Sequence, residues 1–521
     1  MKCLSIGCWK RRGWRVRWSV QALGLSAGLV GVFALNAGGC VVQAIVGDVL
    51  GVTTGGQQDI ASARTIIEAG GVPDPDSITV EEFLSEHDIP IEAPPDAGAL
   101  FATVAAAWND DFDALTPLAT VQIGFGTNVE ASAFRRRPLN LGIVIDTGDS
   151  MGDEIDTRTG TTKLESVRIA IDGLLAQLTN EDLVSIVRFS TLAETRLEAV
   201  PGDDFAAIKA AIETLTPAGG SDLARGMSSA YQAVRRHQSA DRADRLIVFT
   251  DARFTIRGDR QADELIDVME TFAAMDIGAT LFGVGTDIGN ETAQRIAQVR
   301  GGNYFFLSDF ERITTVFDEE FDLLVTPVAF DISLTVDVPF TFDVEGVYGI
   351  PADQPFPHML ELSIPTLFLS SPEGSEVMLI QLRAGSLVDF DAENTIASLS
   401  LAFTDNSGED IVLPQLDAVL PAGLDPSTHP RYFETPSVQR GVLLLNTALV
   451  LHDASADAFP TFGVLFNRDD QQTAIDRLTA FLPYFDDLAD GLEDATTATS
   501  RKLSEERALV EQLLANIFGA S

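Results

Sequence analysis

Residues 141–152 read LGIVIDTGDSMG, an apolar run that ends abruptly in a cluster of hydroxyl and carboxyl side chains. The run has the length of a strand, and its lack of polar alternation is typical of a strand buried on both faces of a sheet. Asp146 stands at the carboxyl end of that strand, which is where ligands bind in open α/β sheets. The stretch therefore predicts a central strand with a binding site at its end.

From Leu139 onward the sequence alternates between apolar runs of strand length and amphipathic helical periods. Such an alternation predicts a mostly parallel, doubly wound α/β sheet that helices cover on both faces. The predicted strands lie at 141–145, 184–189, 246–250, 280–284 and 304–307, and the predicted helices at 164–178, 204–215, 223–236, 262–275, 292–298 and 310–324.

Two further polar clusters, GGSD at 219–222 and FTDA at 249–252, are predicted to lie at equivalent strand-to-helix junctions. Because the carboxyl ends of parallel strands meet at one edge of a sheet, three loops would bring hydroxyls and carboxylates together there. Such oxygen ligands suit a hard divalent cation such as Mg²⁺, Mn²⁺ or Ca²⁺. The candidate metal ligands are Asp146, Ser150, Ser221 and Asp251.

The order of these motifs resembles the metal-ion-dependent adhesion site of the von Willebrand factor A domain. That site reads Asp-x-Ser-x-Ser, then Gly-Gly-Thr, then Thr-Asp-Gly. Asp146, Ser150 and Asp251 match the pattern, and Ser221 replaces one hydroxyl by another. The resemblance implies an A domain whose cation is completed by an acidic side chain of a protein partner.

The motif departs from the family at two positions. Gly148 stands where the family has a serine, so one direct hydroxyl ligand is missing. Asp149 stands where a glycine is usual, and its carboxylate is a candidate replacement for that ligand. Since A domains without a metal retain the fold, the alternative function is a metal-independent structural or scaffold protein of the cell envelope.

The resemblance extends beyond the A domain. Residues 63–84, ARTIIEAGGVPDPDSITVEEFL, are similar to the segment that precedes the A domain in bacterial lipoproteins described as calcium-activated-chloride-channel-like. A β-sandwich after residue 330 and a helix at 438–451 fit the same architecture. No pore is implied, because no apolar run of about 20 residues, the length that a membrane span needs, follows the N-terminus.

Alternating apolar and polar residues outside the A domain predict an antiparallel sandwich. The predicted strands are 119–125, 330–338, 359–364, 377–383 and 398–403, and helices follow at 442–451, 472–482 and 503–518. We expect the A domain to be inserted in this sandwich, with its ends meeting opposite the metal site and with 119–125 and 330–338 in one sheet.

The predicted divisions are a signal peptide at 1–39, an N-terminal segment at 40–135, the A domain at 136–325, the sandwich at 326–425 and a helical region at 426–521.

The N-terminus predicts export. Six basic residues precede an apolar run at 20–35, and small residues then lead to Cys40. This order is typical of a secretory signal peptide, and the tripeptide before Cys40 resembles a bacterial lipoprotein box. Cys40 is therefore the predicted lipidation site, and the chain is predicted to be a membrane-anchored lipoprotein of the cell envelope, in the outer membrane or facing the periplasm. The alternative is an uncleaved anchor that continues through the apolar residues 41–52.

The net charge of −42 argues against a nucleic-acid partner and favours divalent cations or a basic partner, although an acidic surface also serves solubility. No catalytic site is predicted. The five histidines are scattered, and neither a His-Glu-x-x-His pair nor a Gly-x-Ser-x-Gly elbow occurs. The sequence thus predicts a binding module and not an enzyme.

Overall fold

The computed structural model describes residues 51–53, 60–87, 89–94, 98, 100–110, 112, 117–130, 134–156, 160–251, 259–284, 295–307, 317, 321–349, 358–370, 376–424, 431–459, 468–492 and 501–519. The predicted signal peptide and Cys40 lie outside these residues, as do parts of the predicted helices at 292–298 and 310–324.

The segment before the A domain contributes short helices and a long hairpin. Its elements are β1 (Gly51–Thr53), α1 (Ala61–Glu68), α2 (Val80–Ser85), β2 (Leu100–Asp110) and β3 (Pro117–Thr127). Gly70, at a φ of 89°, turns the chain out of α1 in a conformation that favours glycine. The hairpin pairs Leu100 with Thr127 and Asp110 with Pro117 in an unbroken antiparallel register.

The A domain is the α/β unit that the sequence predicts. Its strands are β4 (Leu139–Asp146), β5 (Glu154–Asp156), β6 (Thr161–Thr162), β7 (Leu183–Phe189), β8 (Ala193–Pro201), β9 (Ala243–Thr250), β10 (Ile277–Val284) and β11 (Gly302–Leu307). Its helices are α3 (Lys163–Gln177), α4 (Phe205–Glu213), α5 (Leu223–Arg235) and α6 (Asp259–Ala273). The sheet order is β11-β10-β9-β4-β7-β8, which places β4 inside the sheet and explains why all of its residues are buried.

β8 is the strand of this sheet that sequence reasoning missed. It pairs antiparallel with β7 at the edge of an otherwise parallel sheet. Its sequence, AETRLEAVP, is largely exposed and charged, as is common for edge strands that must not pair with other chains. The sheet is therefore mixed. The edge strand β8 was not predicted, because its sequence has no apolar period.

The A domain is followed by α7 (Phe321–Leu324) and by the strands of the sandwich. These strands are β12 (Pro327–Asp337), β13 (Phe342–Tyr348), β14 (Met359–Ser370), β15 (Glu376–Ala384), β16 (Asn394–Asp405), β17 (Asp410–Val412), β18 (Leu416–Leu420) and β19 (Tyr432–Phe433). One sheet has the order β1-β14-β12-β16-β17, with β18 also paired to β16, and the other has the order β13-β15-β3-β2-β19.

The expectation that 119–125 and 330–338 share a sheet is wrong. β3 pairs with β2 and β15, whereas β12 pairs with β14 and β16 in the opposite sheet. Side chains of both strands nevertheless meet in one hydrophobic core between the sheets, where Val121 and Ile123 of β3 and Ile332 and Leu334 of β12 are fully buried. The A domain is inserted between two strands that face each other across this core.

The expectation that the ends of the A domain meet is confirmed. Nε of Arg136, just before β4, lies 2.5 Å from Oδ1 of Asp322 in α7. The A domain also contacts the sandwich directly, since the backbone N–H of Gly301 donates to Oγ1 of Thr366 in β14 at 2.7 Å. The Arg245 guanidinium lies 5.0 Å from the centre of the Phe368 ring.

The C-terminal region is helical, as predicted, and consists of α8 (Pro436–Ala458), α9 (Arg468–Ala489) and α10 (Leu503–Gly519). The N-terminus of α8 is stabilised because the Thr435 hydroxyl accepts a hydrogen bond from the Val438 N–H and Pro436 occupies the first turn. These helices, together with α1 and α2, cover the outer face of the β13-β15-β3-β2-β19 sheet. They form a second hydrophobic core against it. Within the described ranges, no helix is both long and apolar enough to cross a membrane.

Candidate functional site

The predicted site residues come together at one edge of the A-domain sheet. Asp146 ends β4, Asp251 directly follows the neighbouring β9, and a tight 3-10 turn at Asp149–Gly152 carries Ser150. Ser221 is placed differently from expectation. The GGSD loop connects α4 to α5 and does not follow a strand, so the predicted strand-to-helix junction at 219–222 is wrong.

Asp146 is the buried centre of the site. Its Oδ2 accepts hydrogen bonds from Ser221 Oγ at 2.5 Å and from Thr250 Oγ1 at 2.7 Å, and its Oδ1 accepts from the Gly148 N–H at 2.8 Å. Burial raises the pKa of Asp146 above its ordinary value, although the Ser221 and Thr250 hydroxyls oppose that shift. The structure thus joins all three predicted loops at this carboxylate.

Asp251 has a different set of partners. Its Oδ1 accepts from Ser150 Oγ at 2.9 Å, and its Oδ2 lies 2.6 Å from Nζ of Lys163. Both the Lys163 and the Asp251 side chains are buried. Sequence reasoning missed Lys163, although one signal was present. A lysine at the first position of a helix faces the positive end of the helix dipole, which needs a local reason.

The two departures from the family motif have clear structural consequences. Gly148 has a φ of −59°, which any residue adopts, and a Cβ there would lie 3.2 Å from Asp146 Oδ1 and 3.4 Å from the Gly220 carbonyl oxygen. Asp149 is exposed and joins two loops, because its Oδ1 accepts from the Gly219 N–H and its own N–H donates to the Gly219 carbonyl. Asp149 is therefore used in bracing the loop, and it does not hydrogen-bond with the Asp146 or Asp251 carboxylates.

The chemistry of the cluster fits a hard cation in its donor types. Asp146 and Asp251 provide carboxylate oxygens, and Ser150 and Ser221 provide hydroxyls that already contact them. In the part of the chain that the structure describes, no three carboxylate, imidazole or thiol side chains gather to hold an ion. A cation held here would thus depend on hydroxyl oxygens and water beside the two carboxylates.

A groove of about 700 Å³ opens beside the site, between α5 and α6. Its lining residues include Leu192 and Asp222, the residue after Ser221. Leu192 is 64% exposed and is one of several large apolar side chains that reach solvent in the described part of the chain. Its neighbour Thr191 accepts a hydrogen bond from the Gly220 N–H, which ties this side of the groove to the GGSD loop.

Comparison with known sequences agrees with this geometry. The family profile described as von Willebrand factor type A domain matches residues 141–253. These residues include Asp146, Ser150, Lys163, Ser221 and Asp251. The chain therefore contains a von Willebrand factor type A domain, a fold of general use in adhesion and protein interaction.

Curated relatives match a larger part of the chain. Uncharacterized protein YfbK of Escherichia coli (strain K12) is 24% identical over 289 residues, which span 53% of this chain and 48% of that protein. Uncharacterized protein sll0103 of Synechocystis sp. (strain ATCC 27184 / PCC 6803 / Kazusa) is 29% identical over 144 residues, which span 27% of this chain and 32% of that protein. The chain thus spans about half the length of the first relative and about a third of the second.

Among solved structures, the chain is similar to the von Willebrand factor type A protein from Catenulispora acidiphila, with 14% identity and a TM-score of 0.46. It is also similar to the ArnB paralog VWA2 from Sulfolobus acidocaldarius, with 13% identity and a TM-score of 0.42. Each match covers 81% of this chain and 98% of the other.

Proposed function

We propose that this von Willebrand A domain protein binds a protein partner at the Asp146–Asp251 edge of its sheet, and that a divalent cation takes part in the contact. The observation that carries the proposal is the convergence of two buried carboxylates and two hydroxyls from three separate loops. Buried carboxylates are expensive to maintain; Lys163 already offsets the charge of Asp251, and a divalent cation would also compensate that of Asp146. A binding module, not an enzyme, accounts for such a site.

The residues have distinct roles in this proposal. Asp146 and Asp251 would supply the negative charge that holds the cation, and Ser150 and Ser221 would supply neutral oxygens. When bound, the cation would offer a coordination position to an acidic side chain of the partner. The net charge of −42 otherwise repels an acidic group, so the proposal gives the cation a specific purpose.

The surface next to the cluster supports a protein partner over a small ion alone. The exposed Leu192 and the groove between α5 and α6 lie next to the Ser221 loop. Protein interfaces combine an apolar centre with polar groups around it, and this surface offers both kinds of group side by side. Leu192 is thus the proposed apolar contact of the partner.

We also propose that the chain is exported and anchored to the membrane by lipid at Cys40. The support is the order of basic, apolar and small residues before Cys40, together with the absence of any other cysteine after position 8. Anchoring in the cell envelope, in the outer membrane or facing the periplasm, would present the A domain to other envelope proteins.

The proposal is tested by capture of envelope proteins on the full chain, with Mg²⁺ or with a chelator in the wash. We expect a defined partner that is released by the chelator and is absent when Asp146→Ala is used as bait. Partner capture that survives both the chelator and Asp146→Ala would contradict the proposal.

The second candidate is a metal-independent scaffold of the cell envelope. The observation that favours it is the Lys163–Asp251 ion pair, which already neutralises one of the two carboxylates. A scaffold would retain its partner in the chelator wash. The capture experiment therefore separates the two functions directly.

A further inference from the structure

The Lys163 ammonium lies inside the cluster of predicted metal ligands. Its Nζ is 2.6 Å from Asp251 Oδ2, and the Lys163 and Asp251 side chains are only 7% and 2% exposed. Ser150, a predicted metal ligand, donates to the other oxygen of the same carboxylate. A fixed positive charge therefore lies within contact distance of a carboxylate that the proposed cation would also use.

The local structure holds Lys163 firmly in this position. Thr162 caps α3 by accepting from the Glu165 N–H, and the Glu165 carboxylate accepts from the Thr162 N–H in return. The backbone N–H of Lys163 donates to the Asp153 carbonyl in the loop that follows Ser150. The backbone of Lys163, the first residue of α3, is thus tied to the loop that follows Ser150. From this position its ammonium reaches Asp251 Oδ2.

The position of Lys163 changes the charge balance of the cluster. Asp146 and Asp251 carry two negative charges, and the ammonium of Lys163 offsets one of them. A divalent ion added to these three groups would leave the cluster net positive and would repel the ammonium. The repulsion between charges so close together and out of water is a large effect.

We propose that Lys163 is the resident cation of this site and competes with a divalent ion for Asp251. The proposal rests on the function proposed above, because it assumes that the ion enters the same cluster. Lys163 compensates the Asp251 carboxylate when no ion is bound, and it lowers the affinity for the ion. Metal-dependent binding therefore requires the Lys163–Asp251 ion pair to open, which makes Lys163 a determinant of metal affinity and not a ligand.

The test is titration calorimetry of the full chain with Mn²⁺ in moderate salt, which screens surface carboxylates. Lys163→Met removes the charge and keeps much of the volume, while Lys163→Gln also keeps an N–H donor for Asp251. We expect both variants to bind Mn²⁺ about tenfold more tightly than the wild type, or better, because the competing charge is gone. Adding Asp251→Ala to Lys163→Met should abolish that gain.

The matched control is Lys209→Met. Lys209 lies on α4 of the same domain and pairs with Asp172 at the surface, so this variant makes the same change in net charge away from the site. Its Mn²⁺ affinity should equal that of the wild type. An equal gain in Lys209→Met would attribute the effect to net charge and overturn the proposal.

Removing Lys163 leaves Asp251 buried without this counter-charge, so the variants are also followed by thermal unfolding with and without Mn²⁺. Mn²⁺ should raise the melting temperature of Lys163→Met more than that of the wild type, since a tighter ligand stabilises the folded state more. If Lys163→Met does not fold, Lys163→Gln decides. A folded Lys163 variant with wild-type Mn²⁺ affinity would overturn the proposal.

These measurements need no partner, so they are independent of the capture experiment. Failure to capture a partner, combined with tighter Mn²⁺ binding by the Lys163 variants, would remove the proposed function and leave the role of Lys163 intact. Chelator-sensitive capture, combined with wild-type Mn²⁺ affinity in the Lys163 variants, would support the proposed function and overturn the role of Lys163.

Discussion

Nη1 of Arg136 lies 2.7 Å from Oδ1 of Asp182, and this ion pair is almost completely buried. Arg136 stands where the chain enters the A domain, and Asp182 immediately precedes β7. Arg136 also contacts Asp322, where the chain leaves the domain. Burial favours a higher pKa for Asp182, but hydrogen bonds from Arg136 and from the Leu139 and Thr179 N–H groups hold its pKa below the ordinary value.

Arg136→Met should destabilise the A domain strongly. The change leaves Asp182 buried without its main charged partner, a situation that costs about 3–5 kcal/mol when a buried pair loses one member. The measurement is the free energy of unfolding in urea. Arg137→Met is the control, because the neighbouring Arg137 is exposed and its guanidinium donates to the Ala240 carbonyl. Equal unfolding energies for both variants would mean that the Arg136 pair contributes nothing specific.

Gly148→Ser should tighten binding of Mg²⁺ or Mn²⁺. The backbone at Gly148 accepts a side chain without strain, and the new hydroxyl would lie beside Asp146 after a shift of a few tenths of an ångström. It would restore an oxygen ligand, and affinity for hard ions depends on ligand count. Calorimetric titration measures the effect, with Gly152→Ser on the same turn as control. Weaker binding in Gly148→Ser would show that the site has no room for the family ligand.

Glu81→Gln should stabilise the protein at pH 8 but not at pH 4. Burial raises the pKa of Glu81 from 4.5 to about 7, and a hydrogen bond from the Gly349 N–H only partly opposes this. As the pH rises from 4.5 to about 7, the unfolded chain loses the Glu81 proton while the folded chain keeps it, so wild-type stability falls. The glutamine does not ionise, and we expect a gain of about 1–3 kcal/mol at pH 8.

The measurement for Glu81→Gln is urea unfolding at both pH values. Glu68→Gln is the control, since Glu68 is exposed at the end of α1. A gain that is equal at pH 4 and pH 8 would contradict the assignment to the Glu81 proton.

Leu192→Ser should reduce capture of the partner and leave Mn²⁺ affinity unchanged. Leu192 lines the groove and is not part of the carboxylate cluster, so its loss removes apolar contact only. If Leu192 is one of the few contacts that dominate binding, its truncation should cost about 1 kcal/mol of binding free energy or more. Leu387→Ser is the matched control, because Leu387 is 82% exposed on the sandwich. Equal capture by both variants would place the partner elsewhere.

Cys40→Ser should release the protein from the membrane. The predicted signal order makes Cys40 the acylated N-terminal residue, and stable anchoring needs buried acyl chains. Mass spectrometry of the membrane fraction should find an acylated N-terminus at Cys40 in the wild type and none in Cys40→Ser. Cys8→Ser, within the predicted signal, should behave as the wild type. An intact N-terminus at Met1 would support the uncleaved anchor instead.

The site illustrates how far local sequence reaches. The apolar run at 141–145 predicted β4 and placed Asp146 at its end, because a fully buried strand must be apolar along its length. The motif likewise identified Ser150, Ser221 and Asp251, which the structure brings to one cluster. An apolar run predicts a strand reliably when consecutive residues of the strand are all buried, as they are in β4.

Other features depended on pairings that no local pattern contains. β8 is a strand only because β7 pairs with it, and its exposed, charged sequence carries no apolar period. β3 and β12 both alternate correctly, yet alternation fixes which side chains face the core and not which sheet each strand joins. The sequence therefore determined the elements that carry an apolar period, and the tertiary structure decided β8 and the pairing of the strands.

Lys163 and Asp251 are the sharpest case of this division. The sequence predicted a helix from residue 164, directly after Lys163, and placed Asp251 directly after a strand. They lie 88 residues apart, and only the packing of α3 against the sheet edge brings the ammonium to the carboxylate. The charge balance of the site was thus decided by the tertiary structure, since electrostatic energy depends on distance in space and on removal from water, neither of which is written in the order of residues.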